Sequence, residues 1–592
     1  MIPRNVTQSR LLLLLLVALY CVWAFAFGIL VGRYDMEEGI WPSPLSLVVE
    51  YLALLPIIIV KGYFFSRWID IAANSRVGLS RMLALIELLW AAFLVAGLPL
   101  GSARLDFSEP SQLAFDRTDQ RLILALAIFI PICLVLVLLI SILSRPRMNS
   151  LPEHRETFFL WNRSHVAGTE SRRLLLAGSL LFGIAAAYFF HAVPIGLNGQ
   201  AIEAKPTDLF HLSRSGVPPF LLIAAWGFLA GSACVIVQGH WHRAIGFVPW
   251  AFGILALSLV VAMISPGTKW VIFPVGVALG LGHVPIMLGL MAWVSRRQRF
   301  AAALINYAAK GLSLWLIFNI VLMPFSRFED RQAFLVLAIL AIVATCGITY
   351  LLFRPFVELI NELVFRFLWY PVAYGPGKYG LPTRGPALIV GNHAAMFDPV
   401  WLSAVIPLRN RAMMISTVLD KPFLKWLCGR IYQAIRVPSE GFRRNAPEID
   451  EAVADMKQGE AVMIFPEGWL RRKEEQPIRR FANGVHRILS QCPDTPVITC
   501  WVEDGWGSWT SWKNGPPTKN KPKDIVKKIR IGVNEAEILP PEMLKDHIAT
   551  RRYLMQRVLH ARTHLGLPEH PLPSFGSREE KEEKEEKEEK EE

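Results

Sequence analysis

Ala387-Leu388-Ile389-Val390-Gly391-Asn392-His393-Ala394-Ala395-Met396-Phe397-Asp398-Pro399 reads as a strand, a turn and the start of a helix. The uncharged run 387–390 has the length of a buried strand rather than a helix. Gly391-Asn392-His393 ends it, and Asp398-Pro399 opens the next helix: an Asp suits the N-cap, and a Pro at N1 gives up no helical bond. Similar apolar runs recur at 461–465, 496–502 and 529–533, with helical patterns at 399–406, 446–457, 479–491 and 541–564. Strands alternating with helices predict an α/β domain with a largely parallel sheet. Active residues are expected beyond the carboxyl ends of such strands. Both His393 and Glu467 fall there.

A carboxylate bonded to one imidazole nitrogen fixes the tautomer and stabilises the imidazolium formed when the other nitrogen takes a proton. His393 and Asp398 have the chemistry for this, with no Ser or Cys nucleophile between them. Phe465-Pro466-Glu467-Gly468 adds a second carboxylate on a later turn. Each motif alone also fits a structural role, a packed His beside a capping Asp or a turn closing a strand. Their order, each behind a strand, points to a functional site.

Upstream, the chain changes character. Apolar stretches of membrane-spanning length lie near 11–32, 45–64, 82–101, 121–143, 174–197, 218–238, 244–264, 269–294, 302–325 and 332–353. A hydrocarbon core needs about 20 apolar residues per helix, so about ten transmembrane helices are expected in an all-α polytopic bundle. The divisions are then 1–353 (membrane), 354–565 (α/β domain) and 566–592, a low-complexity Glu/Lys tail. The first stretch follows Arg4 and Arg10 but runs too long for a signal peptide, so it reads as a retained helix. Arg145, Arg147, Arg155, Arg163, Arg172 and Arg173 share one loop, whereas acids crowd the loop holding Asp106, Glu109, Asp116 and Asp119. The positive-inside rule puts both termini in the cytoplasm, and the chain in the cytoplasmic (inner) membrane. Within the spans, Glu87, His283, Lys310 and Asn319 either line a pathway or bond between helices. Past the last span, 355–370 has one apolar stripe, fitting a helix on the headgroup layer or a cap on the soluble core.

The net charge is +13 and the tail 579–592 carries −6, which leaves +19 on the rest. No nucleic-acid motif accompanies it, so the expected partner is an anionic phospholipid membrane and nucleic acid is not expected. The seven cysteines show no paired spacing. Neither a disulfide framework nor a metal site is indicated. No phosphate-loop or dinucleotide fingerprint calls for a nucleotide cofactor. Trp501, Trp506, Trp509 and Trp512, followed by several Lys, fit a headgroup contact or core packing.

Residues 355–535 resemble the glycerolipid/lysophospholipid acyltransferase superfamily, which includes the 1-acylglycerol-3-phosphate acyltransferases. The resemblance is carried by Asn392, His393 and Asp398, by Phe465 to Gly468, and by Thr495-Pro496-Val497-Ile498-Thr499-Cys500, where a second proline of the family's block is lost. It implies a general base at His393, its orienting acid at Asp398, and acceptor binding at Glu467 and Gly468. The family's arginines match less closely: Trp469-Leu470-Arg471 stands where Thr-Arg-Ser is common, so Arg471 or Arg472 takes the phosphate-binding place. Arg443, among Arg436, Arg443 and Arg444, takes that of the second block. The implied reaction moves an acyl chain from acyl-CoA or acyl-carrier protein to a lysophospholipid, with no other cofactor. The membrane half resembles, more distantly, a major facilitator superfamily transporter, which implies a bundle that flips lysolipid. The alternative is a lipid or small-molecule transporter whose cytoplasmic domain binds acyl groups without catalysis.

Overall fold

The computed structural model describes residues 165–198, 217–237, 241–266, 268–293, 299–317, 330–382, 385–439, 446–519, 521, 523–524 and 526–573. They form two compact units, with the boundary between Leu359 and Ile360.

The first unit is helical: α1 (His165–Asn198), α2 (Val217–Val237), α3 (Phe247–Ile264), α4 (Ile272–Trp293), α5 (Arg299–Ile317) and α6 (Asp330–Leu351). Among the described residues, four stretches are long and apolar enough to cross a membrane: Thr169–Phe189, His242–Ile264, Ile272–Leu290 and Arg331–Leu351. Ile223–Val235 and Ala301–Ile317 are shorter apolar helices. The spans expected at 11–32, 45–64, 82–101 and 121–143, with Glu87 and Asn319, lie outside the described residues.

Helices α2 and α4 meet backbone to backbone. A Cβ on Gly227 would stand 2.1 Å from the Phe273 carbonyl oxygen, and one on Gly276 2.1 Å from that of Ala224. Gly231 and Gly280 repeat the approach one turn on, each 2.2 Å from a facing carbonyl. Glycines four apart on both helices let the backbones touch, which is how apolar helices associate where burial from water gives no drive.

The unit boundary falls inside α7 (Phe353–Leu368), after which the second unit is a three-layer α/β fold. Its strands are β1 (Trp369–Tyr374), β2 (Ala387–Gly391), β3 (Asn410–Ile415), β4 (Ile435–Val437), β5 (Ala461–Ile464), β6 (Val497–Val502) and β7 (Lys527–Val533). They lie in the order β1-β7-β6-β2-β5-β3-β4. Every neighbouring pair is parallel except β6 with β7. The sheet is therefore mixed but largely parallel.

Period-two side chains divide between two cores. Leu388, Val390, Val462, Ile464 and Val497 pack with residues of α9 (Pro447–Lys457), α10 (Gly484–Gln491) and α11 (His547–Thr563). Ala387, Ile389, Met463, Ile498 and Cys500 pack on the other face, with Trp401 and Leu402 of α8 (Asp398–Val405). From β2 the chain runs through α8 to β3, beyond β5. From β5 it runs through α10 to β6, on the far side of β2. Adjacent strands whose connections leave in opposite directions open a crevice at their carboxyl ends.

Candidate active site

The turn after β2 and the turn after β5 face each other across that crevice. Asn392 ties the first to the sheet: its Nδ2 donates to the Val502 carbonyl at 3.1 Å, and its Oδ1 accepts from the Val502 amide at 2.7 Å. This two-bond clamp fixes where the next residue, His393, begins.

Asp398 is fully buried, and its Oδ2 gathers three donors from the preceding turn. His393 Nδ1 lies at 3.0 Å, Ala394 N at 2.6 Å and Ala395 N at 2.8 Å. The sequence reading put Asp398 at the helix N-cap. The structure corrects this: Phe397 occupies the cap, Asp398 is the first helical residue and Pro399 follows. The carboxylate turns back on the loop instead of capping its own helix, because the loop amides and the imidazole lie within its reach. Burial pushes the Asp398 carboxyl above its ordinary range, opposed by the imidazole and the two amides. The ring bond thereby selects the Nδ1–H tautomer of a neutral His393 and leaves Nε2 as an acceptor. Nε2 has no hydrogen-bond partner among the described residues, and the His393 side chain is 20% exposed.

Several contacts hold the ring and its turn. The Phe465 ring stacks on the imidazole at 4.3 Å between centroids. Phe397 is boxed by Phe365, Trp369, Trp401 and Trp509, at 5.2 to 6.2 Å. Gly505 closes over the acid: a Cβ there would come within 3.0 Å of Trp401 and 3.2 Å of Asp398 Oδ1.

The second turn braces the first. Gly468 donates its amide to the Phe465 carbonyl at 3.0 Å and takes φ +71°, a conformation that suits glycine. Glu467 is buried, and both its oxygens go to main chain: Oε1 accepts from His393 N at 2.9 Å and Oε2 from Arg479 N at 2.9 Å. Burial pushes this carboxyl up to about 8, against the pull of those two amides. Arg471 closes the ring of contacts by donating its amide to the His393 carbonyl at 2.7 Å. The His393 backbone is thus held on both sides by the loop after β5.

The Arg471 guanidinium serves its own loop. It donates to the carbonyls of Lys473 and Glu474 and lies 4.5 Å above the Trp506 ring. Arg472 is exposed and lies 4.2 Å above Trp512. Arg443 and Arg444 lie outside the described residues. Arg436 pairs with Asp420 at 2.6 Å. Among the tryptophans, Trp501 is buried in the core, while Trp506, Trp509 and Trp512 support the two loops. Among the described residues, no cluster of three or more His, Cys, Asp or Glu is arranged to hold a metal ion.

Sequence reasoning missed three positioning elements: the Asn392 clamp, the closure by Gly505, and the double use of Glu467 on main-chain amides. An Asn directly behind a strand-ending Gly was a visible signal for the first. Nothing local announces the other two, since their partners lie far along the chain.

No curated protein matches the chain significantly. Among solved structures, the 1-acyl-sn-glycerophosphate (LPA) acyltransferase PlsC from Thermotoga maritima is 17% identical, with a TM-score of 0.28, over 37% of this chain and 83% of that one. Residues 376–503, which span β2 to β6 and both turns of the crevice, match the protein-family model described as Acyltransferase.

Proposed function

We propose that the second unit moves an acyl chain from an acyl thioester, acyl-CoA or acyl-carrier protein, to a glycerol hydroxyl of a lysophospholipid. The observation that carries this is the His393–Asp398 pair at 3.0 Å with Nε2 left open at the crevice. The acceptor hydroxyl gives its proton to Nε2 as its oxygen attacks the thioester carbonyl carbon. The tetrahedral intermediate collapses, the carbon–sulfur bond breaks, and the imidazolium returns the proton to the leaving thiolate. Products are an ester and a free thiol. Asp398 holds the imidazolium while it exists, a contribution of about 10²–10⁴-fold for general-base help of this kind.

On the acceptor side, the turn around Glu467 and Gly468 sets the His393 backbone. Of the basic run, the exposed Arg472 and Lys473 supply charge to the acceptor's phosphate, and Arg471 holds their loop through the carbonyls of Lys473 and Glu474. Arg443 supplies a further cation to the same phosphate. In this reading the first unit anchors the enzyme in the cytoplasmic membrane, both termini cytoplasmic, and brings lysophospholipid inward. Thiol release, followed with a panel of lysolipids, tests the assignment. Wild-type protein should release thiol only with a lysophospholipid present, and the His393→Ala protein should not. Equal release from both would end the reading.

A further inference from the structure

Helix α7 hides its acids and shows its apolar side. Glu358 and Glu362 are 5% and 4% exposed, whereas Leu363, Val364 and Phe367 point outward at 44%, 47% and 83%. Tyr370, just past the helix in β1, is also exposed. The acids are answered along the helix itself: Arg354 donates to Glu358 and Arg366 to Glu362, each at 2.8 Å. A helix at a water-covered surface does the reverse, with its apolar stripe inward and its charges out. An apolar stripe facing out suits a lipid surface.

The later half of α7 is firmly packed on its other sides. Asn361 Nδ2 donates to the Tyr432 hydroxyl at 3.0 Å, Arg366 also donates to the Ala404 carbonyl at 3.3 Å, and Phe365 stacks on Trp369 at 5.1 Å. The stripe is what remains uncovered after this packing.

Two observations identify its cover. The first is continuity. Helix α6, long and apolar enough to cross a membrane, ends at Leu351, and α7 starts at Phe353. Its first turns rest near the start of another such stretch, His242–Ile264: a Cβ on Gly246 would stand 2.3 Å from the Pro355 carbonyl oxygen and 2.7 Å from Leu359 Cβ. At about 1.5 Å per residue, Phe367 lies only about 21 Å along the helix from Phe353, so a flat α7 keeps the whole stripe at headgroup depth. The second is charge. The connection between β3 and β4, which receives the Asn361 bond, carries an exposed Phe423 among exposed Lys421, Lys425 and Arg430. Its acid, Asp420, already pairs with Arg436 at 2.6 Å. An aromatic ring among cations matches anionic phosphates over acyl chains.

We propose that Leu363, Val364, Phe367 and Tyr370, with Phe423 and the cations around it, dock the second unit on the surface of an anionic phospholipid bilayer. The connection bearing Phe423 leaves the carboxyl end of β3, which runs parallel to β5 and, through it, to β2. It therefore starts from the sheet edge that bears His393 and Glu467, and docking sets that edge against the layer where a lysolipid lies. Only this last consequence rests on the proposed acyl transfer.

The test uses the full-length protein in nanodiscs of phosphatidylethanolamine with phosphatidylglycerol, and p-benzoylphenylalanine in place of Val364, Phe367 or Phe423. Irradiation and mass spectrometry should find phospholipid adducts at all three positions. They should find none when the probe replaces Gln458, an exposed residue after α9, on the opposite face of the sheet. Phe367→Glu should lower the adduct at Val364 by about 10-fold, the lower end of what burying one Phe is worth, and Phe367→Trp should keep it. Thiol release by Phe367→Glu should fall with an acceptor held in the bilayer and stay at the wild-type rate with a detergent-dispersed one, which also shows that the variant folds. Phosphatidylcholine in place of phosphatidylglycerol should lower the adduct at Phe423; an unchanged yield overturns the role given to the cations. Absent adducts at Val364 and Phe367, or equal adducts at Gln458, overturn the proposal. So does a covalent dimer in place of lipid adducts, which makes a second copy the cover. Lipid adducts as expected, with no thiol release from any lysolipid, leave the docking surface standing and end the acyl-transfer reading.

Discussion

The second unit holds histidines in two contrasting ways. At the end of β2, His393 has a carboxylate at one ring nitrogen and, among the described residues, no hydrogen-bond partner at the other. At the C-terminal end of α11, His560 Nδ1 and Nε2 of the capping residue His564 both lie on one amide oxygen, Asn534 Oδ1, at 3.1 and 2.8 Å. An amide oxygen only accepts, so both of those rings are fixed as donors to a neutral partner. Burial, then the neighbouring His560 and Arg557, holds His564 below its ordinary range. A carboxylate gains when its ring becomes cationic, whereas a shared amide oxygen beside an arginine does not. What equips an imidazole as a base is therefore the charge of its partner, with a second nitrogen left open.

The sharpest way to break this contrast is to exchange the fates of the two regions. His393→Ala and Asp398→Asn should each cut thiol release by about 10²–10⁴-fold. His560→Gln and His564→Gln should leave the rate at the wild-type level. Comparable losses in the two regions would erase the distinction. Next in size, Glu467→Gln leaves one of two buried amides, His393 N or Arg479 N, facing an NH₂ group. It should cost about 1–3 kcal/mol of stability and lower the rate by loosening the turn; thermal melting and turnover together measure this.

Glu467 also sharpens the comparison through pH. Its carboxyl sits at about 8 in the fold against an ordinary value of 4.5. Between those values the folded chain keeps a proton that the unfolded chain has released. Its contribution to stability therefore falls as pH rises from 4.5 to about 8 and is flat above. Two amides aimed at two oxygens suit the ionised form, so turnover should rise across the upper part of that window while the melting temperature falls. Glu467→Gln should flatten the melting trend. A smaller effect is expected for His564, whose pKa is lowered. Its contribution to stability is complete above the ordinary histidine value and is lost as pH falls below it, a slope that His564→Gln should remove.

Much of the catalytic half was legible because its signals are local. The apolar runs at 387–390, 461–465 and 496–502 are central strands buried on both faces, and 529–533 is a strand with Ile529, Ile531 and Val533 buried on one. The strands that escaped notice lack that signature. β1 (Trp-Tyr-Pro-Val-Ala-Tyr) contains a proline, which an edge position tolerates, and directly follows a helix. β3 begins Asn410-Arg411 and is only partly buried, and β4 has three residues at the opposite edge. The helix expected over 479–491 begins only at Gly484. Arg479 and Ala482 instead spend their amides on Glu467 and on the Pro466 carbonyl. Within the site, the five-residue step from His393 to Asp398 could be read along the chain. Asn392 to Val502 and Asp398 to Gly505 could not, because they join segments more than a hundred residues apart.

The glycine seam between α2 and α4 bears on any motion of the membrane unit. With facing main chains this close, sliding by even one residue would drive a carbonyl into a neighbouring backbone, so the two helices travel as a single rod. Any rearrangement of the unit must then be taken up elsewhere: at Pro285, which lies within α4 beyond the seam, or where α5 packs on α1.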